Sequence, residues 1–124
     1  MNAKLSMILR ILLGLVLVIF GANKFFNFMP AMEMPEAAGK FMGAMMATGY
    51  MLKLVGATEV VVGLLLITKK WMPFALVVLA PISVNMVFFH LALAPAGIGP
   101  AAIVTIINIL LIYDNWDKYK GLFE

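Results

Sequence analysis

Four apolar stretches of membrane-crossing length alternate with short polar or Pro/Gly-rich links along the chain. The first spans about residues 5–26 and carries Arg10 and Lys24 near its ends. Its charge-free run, Ile11 to Asn23, covers only about 20 Å at the helical rise, against a hydrocarbon core of about 30 Å. One or both of the flanking charges must therefore snorkel or find a partner. The second stretch, 50–68, ends at Lys69, Lys70 and Trp71, a basic and aromatic interface anchor. From Trp71 to Tyr113 the 43 residues carry no formal charge when His90 is neutral. That length holds two spans, 72–92 and 101–113, folded back at the turn APAGIGP, Ala94 to Pro100. Pro81 predicts a kink and a freed backbone carbonyl inside the third. The aromatic tail Tyr113, Trp116, Tyr119 and Phe123 lengthens the fourth span and straddles the membrane interface.

Between the first two spans the pattern changes. Pro30, Pro35, Gly39, Gly43 and Gly49 interrupt a methionine-rich segment containing Glu33, Glu36 and Lys40. Pro35 followed by Glu36 suits a helix N-terminus, and Glu36 to Thr48 predicts a short interfacial or re-entrant helix, too short and too polar at its start to span. The chain as a whole, 1–124, reads as a single all-α membrane domain: a polytopic four-transmembrane-helix bundle with that short helix between spans one and two.

Composition narrows the classes further. With 65% apolar and 12% charged residues and a mean hydropathy of +1.07, the chain carries more apolar surface than a soluble core absorbs. The lysines are scattered, which excludes a nucleic-acid surface. The absence of cysteine removes dithiol chemistry, thiolate zinc, iron–sulfur ligation and covalent haem attachment. An even number of spans puts both termini on one side. Six basic residues (Lys4, Arg10, Lys69, Lys70, Lys118, Lys120) fall there, against three (Lys24, Lys40, Lys53) on the other. The positive-inside rule then gives a multi-pass membrane protein with both termini cytoplasmic.

The chemistry-bearing positions are few: Arg10, Lys24, Glu59, Asn85, His90 and Asn108. Glu59 is the most informative, because a carboxylate near the mid-plane of an apolar span is costly and usually faces the bundle interior. It shares a helical face with Gly56 and Gly63, while Arg10, Gly14, Gly21 and Lys24 form one stripe on the first span. Packing the two small-residue faces together predicts an Arg10–Glu59 ion pair across a depth gap of about 7 Å. The six residues together suggest a polar column through the bundle, or separate hydrogen-bonding contacts between neighbouring helices. His90 is the only histidine and lacks nearby carboxylates, so no metal site is expected. Seven of the eleven methionines lie between Met29 and Met51, among them the triplet Met29, Met32 and Met34. Thioethers suit Cu(I), but adaptable apolar filling explains the same residues.

The runs LRILLGLVLVIFGANKFF, ATGYMLKLVGATEVVVGLLLI and PISVNMVFFHLALAPAGIGPA, in this order and spacing, resemble the DoxX family of small bacterial membrane proteins. The resemblance implies a four-helix membrane bundle in the bacterial cytoplasmic (inner) membrane. Related DoxD-type proteins are associated with thiosulfate:quinone oxidoreductase and others with membrane-linked oxidoreductase systems. It therefore implies a membrane subunit or small-molecule-binding protein, not a self-contained enzyme, serving an oxidoreductase partner subunit. Its ligand would be a quinone or lipid-like molecule at an intramembrane polar site. Alternative readings are a small transporter or proton-coupled permease using Glu59, and a structural scaffold. Beyond the lipid bilayer, a homo-oligomeric partner stays open.

Overall fold

The computed structural model describes residues 1–29 and 33–124. Met32 of the methionine triplet and the helix breaker Pro30 lie outside them. Five α-helices follow one another: α1 (Ala3–Phe26), α2 (Glu36–Ala47), α3 (Met51–Thr68), α4 (Met72–Leu93) and α5 (Ile98–Asp114). A short 3-10 turn, Pro95–Gly97, joins the last two, and two more, Trp116–Lys118 and Lys120–Phe123, form the tail. Four helical segments are long and apolar enough to cross a membrane: Ala3–Phe26, Met51–Thr68, Met72–Leu93 and Pro95–Asp114. At 12 residues α2, roughly 18 Å long, falls short of a span. The all-α four-span bundle with a short intervening helix is thus the fold.

Apolarity does not distinguish the two faces of these helices, because the outside meets lipid. The inward faces are marked by small and polar residues at helical spacing. In α1 the buried stripe is Arg10, Leu13, Gly14, Leu17 and Gly21, and in α3 it is Gly56, Glu59, Val62, Gly63 and Leu66. In α4 it is Met72, Ala75, Leu76, Leu79 and Ser83, and in α5 Ala101, Val104, Ile107, Asn108 and Leu111. The outward residues, such as Leu12, Ile19, Val61, Leu64, Phe88 and Ile106, remain exposed to the lipid side. The core is a leucine-rich cluster around Leu13, Leu17, Leu66, Leu76, Leu79 and Leu111.

The four spans alternate in direction, so the start of α1 and the end of α5 share one end of the bundle. We call this the terminal end, and the opposite one the distal end. The α3–α4 link at the terminal end is sharp, with Lys69 and Trp71 both in the left-handed region at φ 57° and 50°. The Lys70 amide donates to Leu65 O at 2.9 Å there, closing the last turn of α3. Tyr119 fastens the tail at the same end: its hydroxyl donates to Pro73 O at 2.7 Å, and burial pushes its phenol up to about 12. Pro81 sits inside α4, which continues as one helix to Leu93. Close to the carbonyl its ring frees, Asn108 Nδ2 donates to Leu76 O at 3.1 Å, while the single Thr105 hydroxyl proton goes to Ala101 O of its own helix at 2.8 Å.

A candidate ligand cavity at the distal end

The site is positioned by the contact between α1 and α3, which run antiparallel with their glycines opposed in two reciprocal pairs. A Cβ placed on Gly63 would stand 2.7 Å from Gly14 O, and one on Gly14 would stand 2.8 Å from Gly63 O. Likewise a Cβ on Gly21 would meet Gly56 O at 2.7 Å, and one on Gly56 would meet Gly21 O at 2.9 Å. The pairs are separated by the same seven residues on each helix, so two backbones touch at two levels with no side chain between them. Any bulk there would push the helices apart and open the seam.

This packing fixes where the two cations go. Helical side chains lean toward the N-terminus of their own helix. Arg10 therefore leans toward the terminal end, where its Nη1 donates to Leu66 O and, at 3.1 Å, to Ile67 O. These carbonyls belong to the last turn of α3, where Leu66 O otherwise accepts only the Lys69 N–H at 3.3 Å and where the negative end of the helix dipole lies. Lys24 leans from the distal end into the bundle, and its Nζ stands 2.6 Å from Glu59 Oε1. The contact is an ion pair first, since the same oxygen makes no well-angled hydrogen bond. Glu59 is only 3% exposed, against 23% for the lysine side chain. The Arg10–Glu59 pair expected from the shared small-residue faces is thus replaced by Lys24–Glu59, because facing stripes do not specify which way the long side chains lean.

Lys24, Glu59, Asn85 and His90 line one cavity of about 350 Å³. Its remaining wall comes from Phe41, Met42 and Met45 of α2, Leu52 and Val55 of α3, and Pro81, Ile82, Met86 and Phe89 of α4. Asn108 and Arg10, both buried, are elsewhere. The six polar residues therefore do not share one cavity. At His90, Nδ1 lies 2.8 Å from Met86 O. A carbonyl only accepts, so Nδ1–H is the donor, and the neutral ring keeps Nε2 as an acceptor. Gly97 packs on the same ring: a Cβ there would come within 3.2 Å of His90 Cδ2.

Sequence reasoning placed α2 as a short interfacial or re-entrant helix over the polar site and named none of its residues as lining it. Its Ala38, Phe41, Met42 and Met45 recur at helical spacing, the signal that could have marked an inward face. Ala38 is fully buried, and the Phe41 ring lies 5.5 Å from that of Phe89 on α4. What that segment's glycines and prolines obscured is that about three turns of regular helix supply a wall of the cavity. Ser83, near the cavity on α4, is buried with no hydrogen-bond partner for its hydroxyl among the described residues.

What this arrangement can do chemically is modest in kind. An apolar enclosure with a few convergent polar groups holds a small molecule and orients its head. A sequence model of the DoxX family matches residues 5–92, which takes in α1 through nearly all of α4, so the chain belongs to the DoxX family. That range contains every residue of the cavity, while α5 lies beyond it. No curated protein and no solved structure matches the chain.

Proposed function

We propose that this multi-pass membrane protein binds a quinone or similar lipid-like molecule and presents it to a membrane oxidoreductase, as a non-catalytic subunit. The observation that carries the reading is the cavity itself: mostly methionine and phenylalanine wall, with Lys24, Glu59, Asn85 and His90 as its only polar side chains among the described residues. The residues fit such a ligand. Lys24 and Asn85 supply donors for a carbonyl oxygen, and Glu59 and His90 Nε2 supply acceptors for a hydroxyl. A bound quinone would supply two-electron redox chemistry, and this chain's part is to hold it, keep water out and position the proton-accepting groups. The test is decylubiquinone titrated calorimetrically into the purified protein in a neutral detergent. Binding is expected at one per chain and at least tenfold weaker in Val55→Phe, whose ring would occupy the cavity. Equal affinity in the two proteins would place any binding elsewhere and sink the proposal.

A permease needs a path beyond Glu59, and on its terminal side Leu13 and Leu66 are buried in the apolar cluster. Binding therefore has the better support. For orientation we propose cytoplasmic termini, on the six-to-three distribution of basic residues. Impermeant thiol labelling of Glu36→Cys from outside and Lys120→Cys from inside the cell checks it: the opposite pattern would reverse the assignment, and labelling of both from one side would make the topology wrong.

A further inference from the structure

Distal to the first cavity, a second chamber of about 510 Å³ lies between the end of α1, α2 and the start of α3. The two chambers share Lys24, Met42, Met45 and Leu52, so they meet at the lysine. The polar lining of the second is one-sided. It consists of Asn23, Lys24, Asn27, Tyr50 and Lys53, and among the described residues no carboxylate lines it. Glu59, which offsets Lys24, lines the inner cavity alone of the two. Glu36 of α2 is engaged with Lys40 at 3.2 Å on an exposed face. Lys53 is exposed and has no ion pair among the described residues. Asn23 Oδ1 accepts the Met29 N–H at 2.8 Å, which leaves its NH₂ end as the free donor.

A concave, low-dielectric wall with excess charge of one sign concentrates counter-ions, and clustered N–H donors bind phosphate or carboxylate oxygens through charge-assisted hydrogen bonds. The rest of the wall is apolar and adaptable: Phe25, Met34 and Met46 beside the shared Met42, Met45 and Leu52. We propose that this chamber is a second binding site, for the anionic head of an amphiphile, with Lys53 and Lys24 on the head and the methionines on its alkyl chain. The site lies where a helix end places a lipid head group, and the chain side explains why a cation-lined pocket is walled with thioethers instead of polar residues.

The probe is dodecyl phosphate, with dodecanol as the neutral-headed control and inorganic phosphate as the tail-less one. Each is added in equal concentration to the full-length protein in a neutral maltoside, and adducts are counted by native mass spectrometry. The expected result is at least fivefold more dodecyl phosphate adduct than either control. In Lys53→Gln that preference should fall at least threefold, and in Lys53→Glu it should vanish, with helical circular dichroism unchanged because residue 53 is exposed. Dodecanol binding as well as dodecyl phosphate would overturn the anionic head. Inorganic phosphate binding as well would overturn the amphiphile and leave a free-anion site. A full preference kept in Lys53→Glu would remove the chamber from consideration. Val55→Phe blocks the inner cavity alone, so its effect on decylubiquinone and its lack of effect on dodecyl phosphate separate the two proposals.

Discussion

At the terminal end of the α1–α3 seam, Arg10 donates to the carbonyls of Leu66 and Ile67 beside the Gly14–Gly63 contact. At the distal end, on the same stripe of the same helix, Lys24 meets Glu59 beside the Gly21–Gly56 contact. Both cations enter the membrane at a level where glycines bring two backbones together, yet Arg10 is closed against backbone while Lys24 lines two cavities. The difference lies in the partner. Backbone carbonyls at a helix terminus are fixed acceptors, and a planar guanidinium can satisfy two of them at once, leaving nothing to exchange. A carboxylate on a cavity wall is an acceptor that a ligand can contest, and the lysine ammonium, a flexible point charge facing two chambers, can follow it. The comparison separates a cation that closes a helix from one that equips a site.

The sharpest way to break this contrast is to remove Lys24. In Lys24→Gln, Glu59 stays buried without its counter-charge, and a loss of about 3–5 kcal/mol is expected in a denaturation titration in detergent. Glu59→Gln should cost less, because the Lys24 side chain, 23% exposed, can extend toward the distal surface. The double substitution should be milder than the sum, and strict additivity in the cycle would dissolve the pair. A smaller loss, about 1.5–3 kcal/mol, is expected for Arg10→Gln, which removes charge-assisted bonds to two carbonyls but strands no opposite charge. It should leave decylubiquinone affinity unaltered, and a loss of binding equal to that of Lys24→Gln would erase the distinction between the two ends. Smallest is Gly63→Ala, at about 1–3 kcal/mol from overpacking at Gly14 O and Val18. A neutral or stabilising result would mean that the seam is looser than the 2.7 Å approach implies.

Much of this was legible in the residues. Span number followed from hydropathy and length, because lipid forces helices to satisfy their own backbones. The inward faces of α1 and α3 followed from glycines and charges at helical spacing, the two signals that remain informative when both faces are apolar. Glu59 stood out as the interior group for the same reason. The match over residues 5–92 bears out the family resemblance read from its three blocks.

Only the tertiary structure decided the partners. A stripe says that Arg10, Lys24 and Glu59 face the same seam, and depth along the axis made Arg10 and Glu59 look compatible. The lean of each long side chain toward its own N-terminus, together with the antiparallel register set by two glycine contacts, sends Arg10 away from Glu59 and Lys24 toward it. The cavity was equally invisible, since it is an absence of packing among α1, α2, α3 and α4, and no single helix encodes it. Asn108 and Asn85 look alike in sequence. One is buried against the Leu76 carbonyl and the other lines the cavity, a difference made by which neighbour each helix face meets. Sequence fixes the chemistry that a membrane helix must hide, because hydrocarbon penalises it locally; where it is hidden depends on contacts between residues distant in the chain.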